Sequence, residues 1–158
     1  MKFINEMKNA LLIIFVTLAL SACSTGKKAG VMDGDVYTGT DTVEYLAKGV
    51  PDRIFFATNK SGLTTAARAT LRKQSTYLRK NKDLNVTIEG HADERGTREY
   101  NLALGERRAN AARDYLMTYG ISGKRISVIS YGKERPANTA STPLAWSQNR
   151  RSVTVKVK

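Results

Sequence analysis

The chain has 158 residues and a net charge of +12, with 26 basic residues against 14 acidic ones. A balance this basic predicts attraction to polyanions, so nucleic acid has to be considered as a partner. The single cysteine, Cys23, excludes an intrachain disulfide.

The beginning of the chain has the pattern of an export signal. Lys2 and Lys8 form its positive end, and an apolar run over residues 10–19 follows. That run is too short to span a bilayer, which needs about 20 apolar residues. The tetrapeptide Leu-Ser-Ala-Cys, which ends at Cys23, resembles a bacterial lipobox. It predicts removal of residues 1–22 and lipidation of Cys23, with an ordinary secretory signal as the alternative. Removal deletes two basic residues and one acidic residue, which leaves a net charge of +11.

Residues 23–49 are predicted to form the lipid attachment site and a flexible linker. From residue 24 to about residue 42, Ser, Thr, Gly, Lys and Asp dominate, a composition typical of tethers. Fully extended, such a segment reaches roughly 65 Å. A short helix is predicted over residues 42–48, with Val43 and Leu46 as its apolar contacts and Gly49 at its end.

Residues 50–158 have the length of one domain, and strand patterns alternate with helix patterns along them. Thr64 is predicted to cap a helix that runs to about Asn81, and Gly120 to terminate a long helix at Tyr119. Strands are predicted at 54–56, 86–88, 126–130 and 153–157, and a short third helix at 142–149. This order predicts an α+β fold of two layers, a mixed four-stranded sheet with helices on one face.

Residues 88–110, IEGHADERGTREYNLALGERRAN, are where the function is placed. A polar loop with His91, Asp93, Glu94 and Arg95 leaves a strand and enters a helix. Such a loop collects charges and free helix N–H groups, so it can hold a zwitterion or an anion.

The helix that follows has an amphipathic pattern. Its predicted core face consists of Leu102, Gly105, Ala109, Ala112 and Leu116. Arg108 is predicted at the edge of this face, whereas Arg107 points into water. Glycine inside a helix costs about 1 kcal/mol relative to alanine. Gly105 therefore indicates that a ligand or a loop backbone comes close to this helix.

Three stretches, EGHADERGTREYN, LGERRANAARDYL and SYGKERP, resemble the OmpA-like peptidoglycan-binding domain over about residues 53–157. The resemblance implies a ligand, the diaminopimelate side group of uncrosslinked peptidoglycan stems, which carries one ammonium and one carboxylate. By motif, Asp93 matches the residue for the ammonium, Arg108 the residue for the carboxylate, and Asn101 the helix asparagine. A structural salt bridge between Asp93 and Arg108 is the alternative. The remaining residues predicted to line this site are Glu94, Arg95, Gly96, Asn59 and Phe56.

The resemblance also implies a cellular setting. The expected partners are peptidoglycan and the periplasmic protein TolB. The expected place is the outer membrane, with the domain facing the periplasm, because Ser24 is not an aspartate. The expected role is to hold the outer membrane to the wall, including during cell division. One departure is Ala57, where the family usually has an aspartate, and its absence weakens the negative rim of the site.

Other functions fit the residues less well. A glycosidase needs two carboxylates across a cleft, and the arginines around Glu89, Asp93 and Glu94 would depress the pKa of an acid that catalysis needs raised. His91 is the only histidine, which argues against a metal site, and no cofactor is predicted. The two central strands lack the aromatic residues of an RNA-binding sheet. The sequence therefore predicts a binding protein and not an enzyme.

Overall fold

The computed structural model describes residues 32–157. The predicted signal, the lipobox and Cys23 lie outside these residues. The strands are β1 (Met32–Asp33), β2 (Val36–Tyr37), β3 (Tyr45–Ala47), β4 (Val50–Pro51), β5 (Arg53–Phe55), β6 (Val86–His91), β7 (Ile126–Gly132) and β8 (Arg151–Lys156). The helices are α1 (Thr65–Lys80), α2 (Arg98–Thr118) and α3 (Pro143–Asn149), with a 3-10 turn at Gly123–Arg125. None of the helices described is both long and apolar enough to cross a membrane.

The last four strands form one mixed sheet in the order β5-β8-β6-β7. β6 and β7 are parallel and are joined through α2, whereas β8 runs antiparallel to both β6 and β5. Helices α1 and α2 pack against one face of this sheet. The core between the layers includes Ile54, Phe56, Leu71, Leu78, Ile88 and Leu116. The predicted fold class is confirmed.

The helix ends follow the sequence signals. The hydroxyl of Thr64 accepts the Ala67 N–H at the start of α1, as an N-cap side chain does. At the end of α2, Gly120 has φ +82°, the left-handed conformation that terminates a helix at little cost for glycine. Thr142 caps α3, and Pro143 occupies its first turn.

The core face of α2 differs from the prediction in one residue. Leu102 is 44% exposed, and Leu104 takes the buried position at 3%. Gly105 does meet a backbone, as expected, but it is the strand residue Gly90. A Cβ on Gly90 would stand 1.8 Å from the carbonyl oxygen of Gly105. The two facing glycines thus allow α2 to pack closely on β6, with no space for a ligand between the helix and the strand at this point.

The predicted linker and its short helix need correction. Residues 42–48 are not helical, and β3 pairs with β4 in a small hairpin whose turn uses Gly49 at φ +75°. A second hairpin, β1–β2, which we call the N-terminal hairpin, spans residues 32–37. Tyr37 and Leu46 are both buried, and the Tyr37 ring lies 4.7 Å from the Phe55 ring. Residues 32–49 therefore belong to the folded domain, because these two side chains cover apolar surface of the sheet.

Candidate ligand-binding site

Asp93 lies two residues beyond the end of β6 and is 7% exposed. Its Oδ1 accepts the backbone N–H and the Nε–H of Arg95, each at 3.1 Å. Its Oδ2 accepts Nη2 of Arg95 at 2.7 Å and Nη1 of Arg150 at 3.2 Å. Burial would raise the pKa of Asp93, but the hydrogen bonds from Arg95 and Arg150 outweigh it and hold the pKa below its usual value. Asp93 is therefore an anion held by two guanidinium groups.

Arg150 is a site residue that the sequence analysis missed. It follows α3, is buried, and donates from Nε to the carbonyl of Phe56 at 3.1 Å. Phe56 returns a backbone N–H to the carbonyl of Arg150 at 2.9 Å. The antiparallel pairing of β5 with β8 places these residues side by side, so only knowledge of that register could have found Arg150.

Arg108 is completely buried, deeper than the edge position that the sequence predicted. It forms no ion pair with Asp93, which pairs with Arg95 and Arg150, so the structural salt bridge considered as the alternative is wrong. The assignment of Asp93 and Arg108 to the two charges of a ligand stays a prediction. The guanidinium of Arg108 donates instead to the carbonyl oxygens of Lys60 at 2.9 Å, His91 at 2.8 Å and Ala57 at 3.1 Å. Desolvation, with the charge of Arg150, lowers the pKa of Arg108 to about 10, so it stays charged at neutral pH.

These contacts give Arg108 a defined place. It ties the turn after β5 to the end of β6, and its guanidinium lies 5.3 Å above the ring of Phe56. Three of the five guanidinium N–H groups are taken by these carbonyls. We call Arg95, Arg108 and Arg150 the guanidinium cluster.

The loop between β6 and α2 is held from both sides. Nδ2 of Asn101 donates to the carbonyl of Arg95 at 2.8 Å, and Asn101 is itself buried. Gly96 adopts φ +91°, which the loop needs to turn into the helix. Lys133 donates to the carbonyl oxygens of Glu94 at 3.2 Å and Gly96 at 2.8 Å. Asn101 and Gly96 thus shape the loop.

Glu94 and Arg95 form the exposed rim together with Trp146. The indole N–H of Trp146 donates to Oε1 of Glu94 at 2.8 Å. The guanidinium of Arg95 stacks over the Trp146 ring, with Cζ 4.3 Å from the ring centroid. The hydrogen bond from the indole of Trp146 lowers the pKa of Glu94. Trp146 was not predicted, since nothing in a short helix indicates which loop it meets.

The turn after β5 contacts the site through Arg95. The hydroxyl of Thr58 accepts Nη2 of Arg95 at 3.4 Å, and Asn59 has φ +56° within the turn. Asn59 is exposed at the rim, as the prediction requires. The side chain of Phe56, by contrast, is entirely buried in the core, and its ring contacts the guanidinium of Arg108. Its predicted contact with a ligand stays a prediction.

The histidine considered as a metal ligand, His91, is buried at the end of β6. Nε2 of His91 is 3.5 Å from Oε2 of Glu89, yet neither ring nitrogen of His91 has a hydrogen-bond partner. Burial, followed by the positive charge of Arg151, lowers the pKa of His91 to about 3, so the ring is neutral. Among residues 32–157, no group of three His, Cys, Asp or Glu side chains could hold a metal ion.

The domain has two layers, a mixed four-stranded sheet and helices on one face, with a charged loop between the strand β6 and the helix α2. The OmpA family model matches residues 55–150. The peptidoglycan-associated lipoprotein of Rhizobium meliloti is 47% identical over 154 residues, covering 94% of this chain and 88% of the relative. The peptidoglycan-associated lipoprotein of Pseudomonas aeruginosa is 40% identical over 126 residues, covering 80% of this chain and 71% of the relative. The chain therefore belongs to the OmpA family, and within it to the peptidoglycan-associated lipoproteins. These relatives are named for their association with peptidoglycan, in agreement with the prediction of a binding protein and not an enzyme.

Solved structures agree with this assignment. The peptidoglycan-associated lipoprotein from Burkholderia pseudomallei is 34% identical and superposes with a TM-score of 0.65, covering 67% of this chain and 90% of that chain. The C-terminal domain of Helicobacter pylori MotB is 17% identical with a TM-score of 0.63, and the match covers 68% of this chain and 84% of that chain. At this identity the likeness shows the fold alone.

Proposed function

We propose that this chain is an outer-membrane lipoprotein that binds peptidoglycan non-covalently through the diaminopimelate of its stem peptides. The observation that carries the proposal is the juxtaposition of Asp93 with the guanidinium cluster at the end of β6. A buried carboxylate beside several guanidinium groups suits a side group that ends in one ammonium and one carboxylate.

Asp93 would take the ammonium, with Arg95 giving up its place. Arg95 is the movable partner because its side chain is 42% exposed, whereas that of Arg150 is 3% exposed. Arg108 keeps two N–H groups beyond the three that bind carbonyls, and these would take the carboxylate in the bidentate way that guanidinium favours. Asn101 and Gly96 would keep the loop in register.

The proposed wider role rests on the resemblance to this family. The names of the relatives support lipidation of Cys23 and association with peptidoglycan. The proposed setting is the outer-membrane side of the periplasm, with TolB and the Tol-Pal complex as protein partners. There the chain would hold the outer membrane to the wall and act in envelope integrity and cell division.

Co-sedimentation with sacculi tests the binding proposal. The purified protein is expected to sediment with intact sacculi and to stay in solution with sacculi that lack diaminopimelate. Specific binding should survive moderate salt, because partly buried charge pairs are screened less than exposed ones over a Debye length of about 8 Å. The contradicting outcome is binding to both kinds of sacculi that disappears between low and physiological salt. It would show nonspecific attraction by the net charge of +11.

Lipidation is tested separately. Cells that express the wild-type chain and the Cys23→Ser variant are labelled with a radioactive fatty acid. The wild type should take up label and Cys23→Ser should not, because this sequence contains no other cysteine. The matched control is Ser24→Ala, which leaves the thiol in place and should be labelled like the wild type. Label retained by Cys23→Ser would contradict the anchor.

A further inference from the structure

The proposed site is closed in this structure. Arg108 is fully buried and Asp93 is 7% exposed. Both carboxylate oxygens of Asp93 already accept hydrogen bonds. An ammonium and a carboxylate from outside therefore reach these groups only after some element at the rim has moved.

The N-terminal hairpin is hydrogen-bonded to two residues that contact this site. Its residue Asp35 accepts the Thr58 N–H on Oδ2 at 2.6 Å, and its carbonyl accepts Nη2 of Arg150. Thr58 also contacts Arg95, and Arg150 also holds Asp93. One hairpin residue thus connects to two sides of the site at once.

Asp35 offers the site the same chemical group as the ligand would. Its carboxylate carries a negative charge next to the guanidinium cluster, and the charges of Asp35 and Arg95 attract each other. The hydrogen bonds from Thr58 hold the pKa of Asp35 below its usual value, so the group is an anion at neutral pH. A ligand carboxylate that approaches the cluster meets a negative charge already in place.

Within the hairpin, the turn is exposed whereas the end of β2 is buried. Asp35 is exposed, and its neighbour Gly34 has φ +60° in the turn. Two residues beyond Asp35, Tyr37 is 2% exposed and packs against Phe55. The turn can therefore swing outward while Tyr37 keeps the segment attached.

We propose that the N-terminal hairpin is a lid, and that Asp35 competes with the carboxylate of an incoming diaminopimelate group. The ligand binds only when Asp35 has released Thr58 and Arg150. The apparent Kd of the ligand is therefore the intrinsic Kd divided by the fraction of molecules that are open. This inference rests on the proposed function.

Calorimetric titration of the full-length chain in detergent with a diaminopimelate-containing stem peptide tests the lid. Asp35→Ala should lower the Kd about three- to tenfold, because the closed population falls. Asp35→Asn keeps an acceptor for the Thr58 N–H but loses the charge, so its Kd should lie between those of Asp35→Ala and the wild type. The control Asp83→Ala removes an exposed carboxylate on the loop before β6 and should leave the Kd unchanged.

Amide hydrogen exchange at Thr58 gives a second readout that needs no ligand. Exchange should be faster in Asp35→Ala than in the wild type and unchanged in Asp83→Ala. An unchanged or higher Kd for Asp35→Ala overturns the lid. If none of the proteins binds the peptide, the proposed function fails and the lid fails with it, whereas binding with an unchanged Kd in Asp35→Ala overturns the lid alone. Unchanged exchange at Thr58 overturns the lid in either case, because Asp35 would then not be holding this N–H.

Discussion

The two adjacent arginines of α2 illustrate how position decides what one residue type does. Arg108 is buried and donates to the carbonyl oxygens of Ala57, Lys60 and His91, whereas Arg107 is exposed. A buried carbonyl that loses its donor costs about 1–3 kcal/mol. Arg108 therefore holds the site together whether or not it also touches a ligand.

Arg108→Ala should lower the free energy of unfolding by about 3–5 kcal/mol, because three buried acceptors lose their partner and a large side chain leaves a void. Wall binding should be lost with it. Arg107→Ala, the matched control, should change the free energy of unfolding by less than about 0.5 kcal/mol. Urea unfolding measures both. Equal losses of unfolding free energy in the two variants would mean that the contacts of Arg108 with the three carbonyl oxygens do not hold the site together.

His91 should make the domain sensitive to mild acid. The folded pKa of His91 is about 3, against an ordinary value of 6.5. The unfolded chain therefore takes up a proton below pH 6.5 while the folded chain does not, and stability falls as pH falls from 6.5 towards 3. The loss approaches about 1.4 kcal/mol per pH unit.

Urea unfolding between pH 6.5 and 5 tests this, because His91 is the only histidine in the chain. In His91→Phe, which keeps an aromatic ring beside Tyr131 and removes two unpartnered nitrogens, the pH slope should flatten. Stability at pH 7 should be equal or higher. A slope as steep as that of the wild type would show that His91 is not the titrating group.

At the scale of elements, the crossing of α2 over β6 depends on glycine. Gly90→Ala should lower the free energy of unfolding by about 3 kcal/mol or more, because the new Cβ would stand 1.8 Å from the Gly105 carbonyl oxygen. The gain from a less flexible unfolded chain, about 0.4–1 kcal/mol, is too small to offset this. The control Gly62→Ala meets no atom within 4 Å and should be neutral within about 1 kcal/mol. Equal effects in urea unfolding would contradict the close crossing.

The elements of the domain could be predicted because their signals are local. Thr64, Gly120 and Pro143 mark helix ends by chemistry within one turn, and each is found where predicted. The face of α2 was less certain, since Leu102 and Leu104 are both apolar and only contact with β6 and β7 decides which one is buried.

The site was predictable only where its residues are close in sequence. Asp93, Arg95 and Asn101 come from one loop and helix, and the structure joins them. Arg150 and Asp35 are separated from Asp93 by 57 and 58 positions, and sheet register and a packed hairpin bring them in. The segment that carries Asp35 has a tether's composition, so only the burial of Tyr37 reveals that it is folded.

At the scale of the whole molecule, the N-terminal segment has two opposing effects. Tyr37 and Leu46 cover apolar surface, and burying a large side chain contributes about 1.5–3 kcal/mol. Ordering the chain offsets part of this. The same segment carries Asp35, which closes the site. Stability and affinity should therefore respond in opposite directions when it is removed.

A chain that begins at Lys48 should accordingly unfold with a free energy lower by about 2 kcal/mol than one that begins at Met32, and yet bind the stem peptide more tightly. Two point variants of the longer chain separate the effects. Tyr37→Ala should reproduce the loss of stability, because it removes the ring that packs on Phe55. Asp35→Ala should reproduce the tighter binding with little change in urea unfolding, because Asp35 is exposed. If the chain from Lys48 kept full stability, residues 32–47 would be a tether after all, and a tether cannot hold a carboxylate against Thr58.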